Sequence, residues 1–242
     1  QLFTQTCGML GRATPRNACI SSLCKYTLPD AVQDLLNFSI TPKHVQVLKV
    51  LFNIANGLGA VLGSSWYLLL KTFQQLDAYL VLTQESSASS RASPNGRAPG
   101  SPFDPRGGGA AQQQDLPFSV QSEVALLASL MASVFNSTSY LDEAALLALL
   151  NCLISLSDDA LAATHLPEVP RSPSPLGSLE ASLSRRQRMF GCTKIVEVTR
   201  LNIGRVVVFR DVVYSYFESI VLSSQDPAAR QTAVESVAAI VE

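Results

Sequence analysis

The sequence predicts an all-α fold: an armadillo/HEAT-like α-solenoid of stacked helix–turn–helix pairs, interrupted by two disordered linkers. Three observations predict it. Apolar residues recur at three- and four-residue spacing through nearly all of the chain outside the linkers, the mark of helices with one buried face. A helix–turn–helix unit recurs three times, with corners at 57–63, 136–139 and 202–204. With the linkers set aside, the spacing is about 40–47 residues, that of a HEAT or armadillo-like repeat. Each pair leaves an apolar face that only a neighbouring pair can cover, so the pairs should stack.

The first block covers residues 1–83. Thr14-Pro15 starts a short helix carrying Ala18, Cys19, Ser22 and Leu23, and a second short turn follows Pro29 around Val32, Leu35 and Leu36. Thr41-Pro42 then supplies an N-cap with proline at the first helical position. The helix after it carries Val45, Leu48, Leu51, Phe52 and Ala55 on one face. It runs into "ANGLGAVLGSSW", whose glycines Gly57, Gly59 and Gly63 imitate a dinucleotide-binding loop. Such a loop follows a buried strand, whereas this one follows a helix, and no G-x-x-x-x-G-K-[ST] occurs anywhere. The stretch therefore reads as a corner in which Gly57 and Gly59 end one helix and Ser64 or Ser65 caps the next. That next helix carries Trp66, Leu69, Leu70, Phe73 and Leu80. A nucleotide-binding enzyme is the alternative that rests on these glycines alone.

Residues 84–114 are dominated by serine, glycine, proline and alanine and are expected to be a disordered linker. The second helical block covers 115–163. Its first helix has the stripe Val120, Val124, Leu127, Leu130, Met131, Val134 and Phe135, and Ser139-Tyr140-Leu141-Asp142 has a capping-box pattern. The helix that follows, through Leu146, Leu147, Leu149, Leu150, Leu153 and Ile154, is apolar nearly all round and should lie between neighbours. Residues 164–184 form a Pro/Ser linker whose prolines exclude helix. The third block covers 185–242. It begins at Arg185-Arg186-Gln187-Arg188 and continues through Met189, Cys192, Ile195, Val196 and Thr199. It turns at 202–204, then carries Phe209, Val212, Val213, Tyr216, Phe217 and Ile220. The run "VVVF" at 206–209 has strand propensity but is too short and isolated to found a sheet, and reads as the lead-in to this helix. Asp226-Pro227 starts the last helix, with Ala233, Val234, Val237 and Ile240 expected to face inward.

Composition narrows the function. Of 242 residues, 47% are hydrophobic and 15% charged, which suffices for a substantial core in one large domain or two small ones. A formal net charge of −1 lacks the basic footprint of a nucleic-acid binder, so no nucleic-acid partner is expected. The five cysteines, Cys7, Cys19, Cys24, Cys152 and Cys192, include no C-x-x-C and read as reduced thiols of a cytosolic protein. With only His44 and His165 beside them, no zinc spacing occurs. No basic-then-apolar run marks a signal peptide, and the absence of an initiator Met suggests a piece of a longer protein. No apolar run reaches the roughly 18 residues of a membrane span without polar interruption. The glycosylation-pattern matches at 37–39 and 136–138 carry no weight in a cytosolic chain.

No catalytic or cofactor-binding constellation emerges. Asp142-Glu143 sits at a helix start, where the macrodipole accounts for it. Asp158-Asp159 lies at a helix end, and nothing resembles G-x-S-x-G. An enzyme is therefore not expected. The candidate partner or lipid contacts are Arg185, Arg186 and Arg188, which have the charge to meet acidic lipid, and Lys194 with Glu197, three apart on one helix. Each also has a plain reading, as a solvated helix lead-in and as a surface ion pair.

Four stretches, "CGMLGRATPRNACISSLCKYTLP", "VLKVLFNIANGLGAVLGSSWYLLLKTFQQL", "STSYLDEAALLALLNCLISLS" and "RMFGCTKIVEVTRLNIGRVVVFRDVV", resemble in this order the helical region of the Mon-two family. These are large Golgi and endosome scaffolds, and the pattern recurs downstream of the catalytic domain in BIG-type large Arf guanine-nucleotide exchange factors. The opening "CGMLGR" and "FNSTSYLD" lean toward Mon-two, while "RMF…KIVE…N-x-G-R" fits both, and Phe209 stands where the BIG factors often carry tryptophan. The resemblance implies a non-catalytic scaffold segment in endosome-to-Golgi and trans-Golgi vesicle traffic, cytoplasmic and peripheral on those membranes. It implies Dopey-type scaffold proteins and Arf or Arf-like GTPases as partners, and homo-oligomers are compatible with it. The alternative is an autoinhibitory or membrane-recruiting segment of a BIG-type exchange factor. No catalytic residue carries over.

Overall fold

Proline placement, caps and apolar periodicity fix ten α-helices in the computed structural model, which describes residues 2–91, 118–162, 175–224 and 226–241. They are α1 (Leu2–Met9), α2 (Ala13–Cys24), α3 (Val32–Leu36), α4 (Pro42–Leu62) and α5 (Trp66–Arg91). After them come α6 (Phe118–Asn136), α7 (Glu143–Ala162), α8 (Pro175–Leu201), α9 (Val206–Ser223) and α10 (Pro227–Val241). No strand occurs among the described residues. The fold class is therefore all-α and solenoid-like, and 206–209 is the first turn of α9, as its context demanded. Nothing in the periodicity marked α1.

Helices pair in antiparallel fashion and the pairs stack. In one layer α1 meets α4, α4 meets α6, α6 meets α8 and α8 meets α10; in the other α2 meets α5, α5 meets α7 and α7 meets α9. The core runs through both layers without a break. Trp66, Phe52, Phe73, Phe135, Phe209 and Phe217 are its largest fully buried side chains, and Phe52 stacks on Phe73 with ring centroids 4.7 Å apart. The all-round apolar character of α7 is explained by its neighbours, since it packs against α4, α5, α8 and α9. Two helical stretches, Pro42–Gln84 and Glu143–Ala162, are long and apolar enough to cross a membrane by length and composition, contrary to the sequence expectation. Their apolar residues serve the core, where Leu48, Leu51, Leu149 and Leu150 are fully buried.

Three short connections share one construction, a 3-10 turn between the helices of a pair: Gly63–Ser65, Ser137–Tyr140 and Ile203–Arg205. The first corrects the expectation for the glycine stretch. Gly57 and Gly59 lie inside α4, and the chain turns at Gly63, whose φ of 50° is the left-handed conformation that glycine adopts without a Cβ penalty. Gly59 serves packing instead. A Cβ there would lie 2.9 Å from Leu141 Cδ2 and 3.2 Å from Trp66 Cζ2, and the Trp66 indole N–H donates to the Gly59 carbonyl at 3.1 Å. Ser64 and Ser65 lie in the 3-10 turn that precedes α5, and the Ser65 hydroxyl is engaged by Arg16 and Asn17 of α2. Ser139 likewise lies in a turn, and it is Asp142 that caps α7, accepting from the Ala145 N–H at 2.7 Å.

Two linker boundaries also shift. Helix α5 continues past Thr83 to Arg91, and α8 begins at Pro175, inside the stretch read as linker. Proline at the first helical position lacks only an N–H that would be unpaired there anyway, so Pro175 starts a helix where 164–184 was expected to exclude one. The remaining linker residues, 92–117 and 163–174, lie outside the described residues. In the added turns of α8, Glu180 accepts from Gln33 of α3 at 2.5 Å, and farther along Gln187 and Arg186 meet α5, so the third block touches the first as well as the second.

The start of α4 carries a pH-dependent cap. The His44 N–H donates to Thr41 Oγ1 at 3.5 Å, and His44 Nδ1 accepts from the Thr41 N–H at 3.2 Å. That acceptor role requires neutral imidazole. Partial burial, then neighbouring Lys43, lowers the His44 pKa below its ordinary value. As pH falls below about 6.5 the unfolded chain takes up the proton first, so stability declines through that window and is fully present above it. His44→Gln, which retains a side-chain acceptor at this position of the cap, should flatten the pH dependence of the melting temperature below about pH 6.5. An unchanged slope would remove His44 from the account.

Candidate functional site

The stack has two unlike edges. Contacts between successive pairs place the α1–α2 corner and the three 3-10 corners on one of them. A Cβ on Gly8, at the end of α1, would lie 2.8 Å from Val61 Cβ, at the end of α4. Ser137, at the end of α6, donates to Asn56 Oδ1 of α4 at 3.2 Å. Asn202, at the end of α8, donates to Thr138 Oγ1 at 3.1 Å. The longer connections, 25–41, 92–117 and 163–174, join helix ends at the opposite edge.

Two of the corners are locked by an arginine from a neighbouring pair. Arg16 of α2, almost fully buried, donates through Nε to Ser65 Oγ at 2.6 Å and through Nη1 to the Val61 carbonyl at 2.5 Å. Ser65 also donates to Asn17 Oδ1. Arg205 donates to the carbonyls of Leu141 at 2.5 Å, Thr138 at 3.2 Å and Ser139 at 3.3 Å, and to Asn202 Oδ1 at 2.5 Å. The carbonyls of a 3-10 turn lack helical partners, and the forked guanidinium reaches several at once. This is the physical content of the "NIGR" motif at 202–205: asparagine and arginine fasten the third corner onto the second. Arg205→Lys keeps the charge but has three donors on one atom in place of a planar fork, and should cost about 1–3 kcal/mol in urea denaturation. An unaltered midpoint would mean that the lock contributes nothing.

The locked edge carries exposed apolar side chains. Tyr140 is 90% exposed, Val207 is 76% exposed, and Leu201 and Ile203 are exposed beside them. Met9 and Leu10 continue the series at the corner of α1 and α2. Scattered surface hydrophobics need no explanation, but a group on rigid, adjacent corners is the anatomy of a contact surface. Sequence periodicity does not reveal it, because these residues sit in turns or on the outer side of a helix, where no period selects them.

The residues expected to make partner or lipid contacts are placed otherwise. Arg186 is bound to Asp77 of α5, with Nε 2.7 Å from Oδ2 and Nη2 3.2 Å from Oδ1, and it ties the third block to the first. Arg188 is only partly exposed, whereas Arg185 points to solvent. Lys194 and Glu197 pair at 2.6 Å, and the Lys194 ammonium sits 4.5 Å from the centre of the Phe135 ring, so this pair covers the seam between α6 and α8. Among the described residues, then, Arg186 ties two blocks together, Lys194 and Glu197 pair on α8 beside Phe135, and Arg185 is the exposed member of the basic run. Because Arg186 is half-exposed, Arg186→Ala should cost less than about 1 kcal/mol of stability. A larger loss in a thermal melt would give the tie more weight than an exposed ion pair carries.

Where α7, α8 and α9 meet, Tyr216 donates to Ser157 Oγ at 2.6 Å, and its hydroxyl lies 3.0 Å from Cys192 Sγ. Burial raises the pKa of both Tyr216 and Cys192, so both stay protonated. The group resembles a nucleophile with partners, but it is sealed in the core and contains no base. Burial likewise pushes up the Cys24 and Cys152 thiols, and all five cysteines are free. Among the acids, Asp142 is a helix cap and Asp159 accepts from the Tyr67 hydroxyl at 2.6 Å. Burial, reinforced by Asp159, pushes the Tyr67 pKa up to about 12. Desolvation, then the charge of Asp159, raises the Asp158 carboxyl. No group of three or more His, Cys, Asp or Glu side chains is arranged to hold a metal ion among the described residues.

Comparison with known proteins gives a consistent relation. The chain is 24% identical over 248 residues to the Protein MON2 homolog of Xenopus laevis, a match covering 84% of this chain and 13% of that protein. It is 24% identical over 249 residues to the Protein MON2 homolog of Homo sapiens, with the same coverage. To the Protein MON2 homolog of Drosophila melanogaster it is 26% identical over 208 residues, covering 85% of this chain and 11% of that protein. The chain thus spans a small fraction of the length of these relatives. No protein-family profile matches it, and no solved structure matches it.

Proposed function

We infer that this chain, a segment of the Mon-two family, is a non-catalytic scaffold in endosome-to-Golgi and trans-Golgi vesicle traffic. It works by presenting rigid surfaces along a stack of helix pairs, in a cytoplasmic protein peripheral on those membranes. The observation that carries the reading is the corner edge: Tyr140, Leu201, Ile203 and Val207 are exposed on turns that Arg205 and Asn202 hold in one register. Pre-organisation of this kind lowers the entropic cost of binding. The resemblance supplies the partners, Dopey-type scaffold proteins and Arf or Arf-like GTPases.

The test is recruitment. In the full-length parent protein, Tyr140→Asp together with Ile203→Asp alters the edge and leaves the core untouched. The expected result is a fall in the trans-Golgi and endosome-bound fraction by severalfold, with the protein still folded and abundant. Unchanged recruitment of a folded variant would remove the corner edge from the proposed function.

A further inference from the structure

Two neighbouring corners of the stack carry opposite charge. The corner between α6 and α7 presents Tyr140, then Asp142 and Glu143, all exposed, and has no basic residue. The corner between α8 and α9 presents Leu201, Ile203 and Val207 with Arg200 and Arg205 among them, and no acid lies between Arg200 and Arg210. The two corners abut, since Asn202 donates to Thr138 Oγ1 and Arg205 to the Leu141 carbonyl. Yet their charges do not neutralise each other. The partners of Arg205 are carbonyl and amide oxygens, none of them a carboxylate. Asp142 Oδ1 is taken by the Ala145 N–H, and the salt bridges of the described residues lie elsewhere. The result is an apolar group with an acidic flank at one end and a basic flank at the other.

This group differs from the exposed apolar residues of the last pair, which lie on an end face of the stack. Helix α10 packs through Ala229, Ala233 and Ser236, which are buried, and so leaves Val234 and Val237, expected to face inward, on its outer side. A stack of helix pairs continues through its end faces, and a further pair covers what is apolar there. The corner edge runs alongside the stacking direction, where a further pair leaves it bare.

An apolar centre between flanks of opposite sign is complementary to itself under a two-fold rotation. The rotation lays the acidic corner of one copy on the basic corner of the other, twice over, as in any isologous contact. The parallel orientation sets like charge against like, and the same residues disfavour it. The corners are also held by Asn202 and Arg205, so their side chains meet a second copy without first having to be ordered.

We propose that the corner edge pairs with a second copy of this chain about a two-fold axis passing between the α6–α7 and α8–α9 corners. Tyr140 of each copy packs on Leu201 and Ile203 of the other, while Asp142 and Glu143 of each face Arg200 of the other. The inference rests on the corner edge being the contact surface of the proposed function. It also supplies a reason for recruitment to depend on that edge, because two joined copies bind a membrane-borne partner with an avidity that one copy lacks.

The test is site-specific photo-crosslinking of the full-length parent protein in cytosol with Golgi membranes, with p-benzoylphenylalanine in place of Tyr140. A link between copies gives a band of twice the chain mass on a denaturing gel, and a link within one copy does not. The expected result is this covalent dimer, with position 140 joined to the 200–207 stretch of the other copy. Glu143→Arg and Arg200→Glu, both at exposed positions, should each reduce the dimer severalfold, and the two together in one chain should restore it. Restoration is a readout that a merely structural effect of either change would not produce. Links confined to one copy, or a link to lipid or to a different protein in place of the dimer, would overturn the proposal. So would a dimer whose yield ignores the charges or stays low in the double variant. The traffic reading fails separately. A covalent dimer with unchanged recruitment of Tyr140→Asp/Ile203→Asp would remove that reading and leave the pairing intact, whereas lost recruitment without a dimer would do the reverse.

Discussion

Leu149→Asp leaves this segment without a cooperative melting transition. Leu149 is fully buried in α7, the helix on which α4, α5, α8 and α9 converge. Truncating a buried leucine costs about 2–5 kcal/mol before any charge is considered. A carboxyl group placed there without a partner adds a further few kcal/mol, roughly 2–7, even if it escapes ionisation by taking up a proton. The sum is comparable to the roughly 5–15 kcal/mol by which most domains are stable. Phe217→Asp, at the junction of α9 with the stack, should act in the same way. Ala144→Asp is the control, because Ala144 is exposed in the first turn of α7, where negative charge is favoured. Circular dichroism of the two buried variants should show lost helical signal and no sharp melt, while Ala144→Asp melts as the parent does. A retained sharp transition in Leu149→Asp would contradict stacking around α7.

The second large effect is expected at Gly191, and it comes from crowding. A Cβ at Gly191 would sit 2.6 Å from Ser157 Cβ and 3.1 Å from the Leu153 carbonyl. Helices α7 and α8 therefore meet nearly backbone to backbone, and a carbonyl cannot swing away as a side-chain tip can. Overpacking by one methyl costs typically about 1–3 kcal/mol, and contact with backbone puts this site at the upper end, so Gly191→Ala should lose about 2 kcal/mol after the gain of about 1 kcal/mol in helix propensity. Gly191→Val should lose more and should also break the Tyr216–Ser157–Cys192 contacts, which need α7 and α8 this close. Gly59→Ala is the informative contrast. The nearest atom there is Leu141 Cδ2, the end of a flexible side chain, so the cost should be smaller. Urea denaturation followed by the fluorescence of Trp66, the only tryptophan, ranks the three variants. Equal stability for Gly191→Ala and the parent would refute the close crossing.

What was legible in the sequence was what periodicity and caps encode. The buried stripes of α4 and α5, the Thr41-Pro42 start and the burial of α7 follow from residue spacing and from the chemistry of helix ends. What was not legible depended on tertiary contacts. Gly57 and Gly59 looked like a helix end because glycine serves equally at a turn and at a close approach. Only the arrival of Trp66 and Leu141 against Gly59 tells them apart. Pro175 looked like a helix breaker and is a helix start, since the same ring suits the first position. Val234 and Val237 looked inward because a hydrophobic pattern does not say which of two apolar sides a short helix buries. The basic run at 185–188 looked like one patch. Asp77, far away in sequence, takes up Arg186, and packing half-hides Arg188. The corner edge is hidden for the same reason: Arg205 fastens the corner of Ile203 onto that of Tyr140 across 62 intervening positions that no local pattern spans.

The measurement that tests the scaffold reading most directly is quantitative affinity purification of the full-length parent protein from cytosol with Golgi membranes, followed by mass spectrometry. Wild type is compared with Tyr140→Asp/Ile203→Asp and with Arg185→Glu. The account predicts that Dopey-type and Arf-family proteins are recovered with the wild type and with Arg185→Glu. It predicts that at least one of them is depleted severalfold in the corner-edge variant. Recovery of the same proteins at the same level from a folded corner-edge variant would contradict it, and would leave this stack as a spacer between binding surfaces located elsewhere.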